Sequence, residues 1–195
     1  EELFSLITRK LRMGRYDSYT PGGRYHNAKD FMKFPHVGAR KFVYPPLKRL
    51  RVDLGQKSLF DNIADKDILL YYPYHQFQPV IDLISTAAID PQVKSISISL
   101  YRIAADSRIA AALVNATRNG KRVVVVLELQ ARFDEQANIS WAQRLTDAGV
   151  YVIFGVPGLK VHSKIISIVR QEGGSQRYYS HIGTGNFNES TAALY

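Results

Sequence analysis

Lys94-Ser-Ile-Ser-Ile-Ser-Leu-Tyr101 and Arg122-Val-Val-Val-Val-Leu-Glu-Leu129, with residues 107–120 between them, decide the fold class. The first stretch alternates polar and apolar residues, the period of a strand with one apolar face. Ser107 offers a hydroxyl cap to a helix running to Arg118, and Asn119-Gly120 ends that helix. The second stretch is continuously apolar, the pattern of a strand in a sheet covered on both faces. Strand, capped helix and strand together predict an α/β domain.

The pattern continues in both directions. Ile68 to Tyr72 is a candidate strand, and Pro79 to Ile89 a helix with proline at an early, tolerated position. Downstream, a helix from about Ala137 to Ala148 is closed by Gly149. Val150–Phe154, Val161–Val169 and Arg177–Ile182 read as further strands. The expectation is a largely parallel mixed sheet flanked by helices, over residues 56–195. Residues 1–55 have another texture, with a turn signal at Tyr19-Thr20-Pro21-Gly22-Gly23, many basic side chains and one short helix near residues 2–12. They read as the end of an upstream domain plus a connector, and their basic residues as a solvated surface.

Twenty-six Lys and Arg against seventeen Asp and Glu give a net charge of +9. That balance favours anionic partners: nucleic acid, nucleotides, a polyphosphate chain or an acidic membrane surface. The chain has no cysteine, which excludes disulfides and thiolate metal sites and is compatible with a cytoplasmic protein. No apolar run approaches the roughly 18 residues of a membrane-spanning helix, and Glu-Glu-Leu-Phe at the start is unlike a signal peptide. A start without methionine and a stop just after a motif lead us to expect a piece of a longer protein.

Two motifs suggest chemistry: Val161-His-Ser-Lys164 and Gly183-Thr-Gly-Asn-Phe-Asn188. Side chains alternate along a strand, so His162 and Lys164 are expected on one face. An imidazole beside an ammonium suits attack on phosphorus, the histidine as nucleophile and the cation on the phosphoryl oxygens. Alone, H-x-K describes an ordinary strand with a polar exposed face. Here it opens a β-branched run, Ile165 to Val169, where buried polar groups are costly unless used or paired. Gly183 to Asn188 adds backbone N–H groups and carboxamides, the material of an anion cradle. Ligands of open α/β sheets bind beyond the carboxyl ends of the strands. Arg102 and Arg132 follow two such ends, and their guanidinium groups could fork around phosphate oxygens. Neither G-x-x-x-x-G-K-[ST] nor a complete G-x-G-x-x-G is present.

The series Asp67-Ile-Leu-Leu-Tyr-Tyr-Pro-Tyr74, Leu100-Tyr-Arg102, Glu128-Leu-Gln-Ala-Arg-Phe-Asp-Glu135, Gly158-Leu-Lys-Val-His-Ser-Lys164 and His181-Ile-Gly-Thr-Gly-Asn-Phe-Asn188 closely resembles bacterial polyphosphate kinases. Pro21-Gly-Gly-Arg-Tyr-His-Asn27 and Lys29-Asp-Phe-Met32 extend the resemblance towards the front, so it covers essentially the whole chain. It implies a phospholipase D-like fold with two related H-x-K domains. This chain resembles the first of them, truncated at its C-terminal end and preceded by the end of a head domain. The acid that phospholipase D enzymes place five residues after the lysine is here Val169, which argues against a standard phosphodiesterase.

The resemblance further implies reversible transfer of the terminal phosphate of ATP to polyphosphate through a phosphohistidine at His162. Arg102 and Arg132 match positions the family associates with Mg²⁺. A guanidinium cannot ligate a cation, so their expected role is to clamp phosphate oxygens that share the ion. Tyr195 matches a nucleotide-binding tyrosine. Lys164, Thr184 and Asn186 are added from their chemistry, as stabilisers of the moving phosphoryl group. Expected partners are ATP, ADP and polyphosphate rather than nucleic acid, in a homo-oligomer with some peripheral membrane association. Two alternatives stay open: a phospholipase D-like phosphodiesterase or nuclease, and a catalytically incomplete phosphate-binding fragment.

Overall fold

The computed structural model describes residues 2–19, 38, 41, 43–45, 47–53, 57–128 and 135–193. The chain forms two compact units, residues 1–46 and 47–195. In the first, α1 (Glu2–Lys10) carries its glutamate in the first turn and Arg9 and Lys10 in the last, complementing the helix dipole. The rings of Phe4 and Tyr19 meet there at 4.6 Å.

The second unit contains α2 (Leu59–Asp65), α3 (Gln78–Ile89), β1 (Val93–Leu100), α4 (Arg108–Arg118), β2 (Arg122–Leu127), α5 (Glu135–Asp147), β3 (Tyr151–Phe154), β4 (Lys164–Glu172) and β5 (Ser175–Gly183). Local chemistry fixes most of the ends. Ser107 accepts from the Ala110 N–H at 3.2 Å, the expected cap of α4 and worth about 1 kcal/mol. Gly120 then takes φ 75°, the left-handed conformation in which glycine closes a helix cheaply.

The strands form one sheet in the order β3-β2-β1-β4-β5. β1–β2 and β2–β3 run parallel, whereas β1–β4 and β4–β5 run antiparallel. The sheet is therefore evenly mixed, not largely parallel as the strand–helix alternation predicts. The cause is legible afterwards: Gly173 and Gly174, at φ 52° and 88°, make a two-residue turn between Glu172 and Ser175. Gly-Gly between two strands is a hairpin signal, and a hairpin folds β5 back on β4.

Among the described residues, helices cover one face of β2 rather than the two expected. Val123, Val125 and Leu127 are buried, while Val124 and Val126 are half-buried. On that second face Tyr151, beside Val124, is exposed, as is Ile165 two strands away on β4. Successive crossovers that advance in one direction through a sheet return on the same side. Accordingly α3 packs on α4 and α4 on α5, and one face carries the core. That core joins Ile96, Ile98 and Leu100 to Ile166, Ile168 and Leu113.

Two predicted strands shift. Ile68 to Tyr72 keeps its alternation, with Leu70 and Tyr72 packed on the core and Leu69 and Tyr71 exposed. It has no strand partner among the described residues and lines a trough together with residues of β5. The strand expected to begin at Val161 begins at Lys164 instead.

Candidate active site

The end of β1, the entry to β4 and the loop after β5 come together beyond one edge of the core. Tyr101 follows β1 directly, and three predicted residues surround its ring. The His162 imidazole meets it edge-on at 4.9 Å between centroids. Lys164 Nζ lies 5.1 Å from the ring centre, and the Arg102 guanidinium carbon 5.8 Å. All three approaches suit the electron-rich face and polarised edge of an aromatic ring.

His162 and Lys164 do not share an environment, as the alternation argument requires. His162 precedes the ladder and is exposed, whereas Lys164 opens it and is only 3% exposed. The lysine bends back to donate from Nζ to the His162 carbonyl at 2.5 Å. Loss of water on burial, then the neighbouring Arg102 charge, holds its pKa below the usual lysine value. The imidazole is left open to a reactant, and the ammonium is held just behind it in a drier place.

The entry to β4 is pinned from β1. The Ser99 hydroxyl donates to the Ser163 carbonyl at 2.8 Å and accepts from the Ile165 N–H at 3.1 Å. The buried Glu128 carboxylate accepts from the Val161 N–H at 3.2 Å. Peptide groups on both sides of His162 are thus tied to side chains of neighbouring strands.

Gly183 pairs with Lys164 in register, so the glycine-rich loop begins opposite the buried lysine. Thr184 is exposed and Asn186 half-buried. Both line a trough of about 460 Å³ with Tyr72, Phe77 and His181. Within it the Asn186 Oδ1 and the Tyr72 hydroxyl are buried and hydrogen-bond to nothing among the described residues. Burial pushes the Tyr72 phenol up to about 12 and His181 down from the ordinary imidazole value. The other members of the motif are structural: Phe187 is buried against the His181 ring at 5.3 Å, and Asn188 Oδ1 caps the Ser190 and Thr191 N–H groups. Glu189 fastens the loop to α4 by accepting from the Arg108 N–H at 2.9 Å.

Arg102, His162 and Lys164 are therefore brought together, and the loop that carries Thr184 and Asn186 is joined to them by the Lys164–Gly183 pair. Arg132 and Tyr195 lie outside the described residues.

The family model for polyphosphate kinase C-terminal domain 1 matches residues 58–195. Over 197 residues the chain is 55% identical to polyphosphate kinase of Escherichia coli strain K12, covering 99% of this chain and 29% of that protein. For the Vibrio cholerae serotype O1 polyphosphate kinase the identity is 53%, over 100% of this chain and 28% of the relative. The crystal structure of polyphosphate kinase from Porphyromonas gingivalis superposes with a TM-score of 0.69 at 34% identity, covering 94% of this chain and 30% of that one. The chain belongs to the polyphosphate kinase family. It spans less than a third of the length of these polyphosphate kinases.

Sequence reasoning missed Tyr101, the ring that gathers this family member's imidazole and cations. It was findable: an aromatic residue immediately before Arg102, at the carboxyl end of a strand, sits where ligands of such sheets bind. It also missed Glu128 and Ser99, whose bonds are long-range and leave no trace in local pattern.

Proposed function

We propose that this chain carries the phosphoryl-transfer centre of a polyphosphate kinase, in which His162 takes the terminal phosphate of ATP and passes it reversibly to polyphosphate. One observation carries the reading: an exposed imidazole stands on Tyr101 with Arg102 and Lys164 around the same ring. In-line attack by a neutral ring nitrogen forms the N–P bond while the P–O bond to ADP breaks, and ADP leaves with the electron pair. A terminal oxygen of polyphosphate then attacks phosphorus and releases the imidazole; ADP in that role runs the reaction backwards.

Such transfers depend on positioning and on neutralising the equatorial oxygens. Lys164 suits the task because its desolvation cost is already borne by the fold, so an arriving anion gains a dehydrated partner. Arg102 and Arg132 would fork phosphate oxygens, Thr184 and Asn186 would donate to the moving group, and Tyr195 would contact the nucleotide. Among the described residues no three His, Asp or Glu side chains gather into a metal cage. Arg102 and Arg132 would hold phosphate oxygens that share a Mg²⁺ ion, and the ion would supply further neutralisation of phosphate charge.

In this reading residues 56–195 form the first phospholipase D-like catalytic domain and residues 1–55 end an upstream one. The longer protein would be a cytoplasmic homo-oligomer with peripheral membrane association; no helix among the described residues is long and apolar enough to cross a membrane. Val169, at the position of the phosphodiesterase acid, is paired with Tyr178 in mid-strand, which gives the diesterase reading no support.

Brief exposure of the complete enzyme to ATP labelled in its terminal phosphate tests the proposal. Acid-labile, base-stable label is expected on His162 and none on His162→Ala. Turnover without that label, or label persisting in His162→Ala, overturns it. The 195-residue chain alone is expected to turn over weakly or not at all.

A further inference from the structure

We infer that Asn138 is a positioning residue for phosphoryl transfer, fixing the backbone on both sides of Arg102 and, through Glu128, the segment that carries His162. The inference rests on the reading of the centre given above. Asn138 lies in α5 and is fully buried, at 0% exposure. Among the described residues its carboxamide bonds to backbone alone: Oδ1 accepts from the Ile103 N–H at 3.1 Å, and Nδ2 donates to the Tyr101 and Glu128 carbonyls, each at 2.9 Å.

The placement of those partners carries the argument. Tyr101 and Ile103 flank Arg102, so one carboxamide sets the peptide groups before and after the arginine. Tyr101 also supplies the ring on which His162 stands. Glu128, whose carbonyl Asn138 holds, reaches with its carboxylate to the Val161 N–H, one residue before His162. Hydrogen bonds at Asn138 and at the Glu128 carboxylate, joined through the Glu128 residue itself, therefore link the backbone at the arginine to the backbone one residue before His162.

The residue type follows from the requirement. One short side chain must offer an acceptor and two donors at once, which a carboxamide does and a carboxylate or hydroxyl cannot. A helix interior otherwise disfavours asparagine, and burying an amide is costly unless every polar atom is paired. The structure meets that condition fully.

The test uses the complete enzyme and three variants. Asn138→Asp keeps the acceptor for Ile103 and loses both donors. Glu128→Gln keeps an oxygen for Val161, and Glu128→Ala removes it. Single-turnover labelling of His162 at saturating ATP should slow by about 10²-fold in Asn138→Asp, the scale of a small misplacement of reacting groups. The KM for ATP should move only a few-fold, and thermal unfolding should show the protein folded at the assay temperature. Glu128→Ala should slow similarly and Glu128→Gln recover most of the rate. Should Asn138→Asp fail to fold, the two Glu128 variants decide. Wild-type labelling rates in folded Asn138→Asp, or in Glu128→Ala, overturn the inference, as does a change confined to KM. Absence of phosphohistidine in the unmodified enzyme is a separate result, and it removes the phosphoryl-transfer reading itself.

Discussion

Lys164 and Arg170 stand on the same face of β4, at its two ends, and the fold treats their charges in opposite ways. Arg170 donates to Asp90 at 2.8 Å and to Glu172 at 2.6 Å, and its guanidinium lies 5.2 Å from the Phe60 ring centre. Tyr179 and Arg177 also hold Glu172, at 2.6 and 3.3 Å. Lys164 is more deeply buried and meets a backbone carbonyl, a tyrosine ring and an arginine. One end of the strand is closed by paired charge. The other holds a buried ammonium beside an aromatic ring and a second cation, and under the proposed function that contrast separates architecture from chemistry on a single strand.

Exchanging each cation for methionine should split the two roles, and this is the largest effect we expect. Lys164→Met in the complete enzyme should lower the His162 phosphorylation rate by about 10²–10³-fold, the scale for removing a preorganised charge stabiliser. Its unfolding midpoint should hold or rise, because a desolvated ammonium has gone. Arg170→Met takes one partner from each of two carboxylates, which keep the Gln92 N–H on Asp90 and Tyr179 and Arg177 on Glu172; it should cost about 2 kcal/mol of stability, while the rate per folded molecule stays within a few-fold. Single-turnover labelling and urea unfolding read the two axes. If both variants lost rate and stability alike, the division would fail.

The same contrast has a pH signature. Tyr179 and then Arg170 hold the Glu172 carboxyl below its ordinary value. For Asp90, burial works upwards, but Arg170 and the Gln92 N–H outweigh it and leave the group lowered. A carboxylate with a depressed folded pKa stabilises above its unfolded value, about 4, and that stability is lost as pH falls through the folded value. Lys164 gives a slope of the same sign in a different window, because its charged form costs stability rather than adding it. Its lowered pKa means the unfolded chain holds the proton longer, so stability rises with pH in a window ending near 10.5. Urea midpoints against pH should lose part of the acid slope in Arg170→Met and the alkaline rise in Lys164→Met. An unchanged alkaline limb in Lys164→Met would mean that the lysine is better solvated than its burial indicates.

How much of this the residues disclose depends on the range of the interaction. Ser107, Asn119-Gly120 and the alternation of residues 94–100 declare α4 and the flanking strands, because capping and strand period are local. His162, Lys164 and Arg102 can be singled out only in combination, because the H-x-K opens a β-branched run and a glycine-rich turn follows it, while each alone is an ordinary strand-end residue. What escapes is tertiary. Nothing near Ser99 announces that it will replace ladder bonds around Ser163, and Asn138 reads as one more polar residue on a helix. Covering both faces of β2 is a plausible inference from its valines, yet coverage is set by which side the crossovers take. The antiparallel half of the sheet was within reach, since Gly173-Gly174 is a hairpin signal.

Gly183→Ala tests the remaining join between the Tyr101 cluster and the glycine-rich loop, and it should destabilise less than Arg170→Met. An added Cβ would lie 3.1 Å from His181 Nε2 and meet nothing else closer than 3.8 Å. The ring therefore has to move by a few tenths of an ångström. It borders the trough, so it has room to turn, and the cost should stay near 1 kcal/mol, at the low end for overpacking. Because Gly183 is the register partner of Lys164, the displacement falls where the loop begins. If Thr184 and Asn186 assist transfer, the labelling rate should drop by more than the stability change can explain. A rate that stays at the wild-type level would confine the centre to Tyr101, Arg102, His162 and Lys164, and leave the trough a separate feature of the fold.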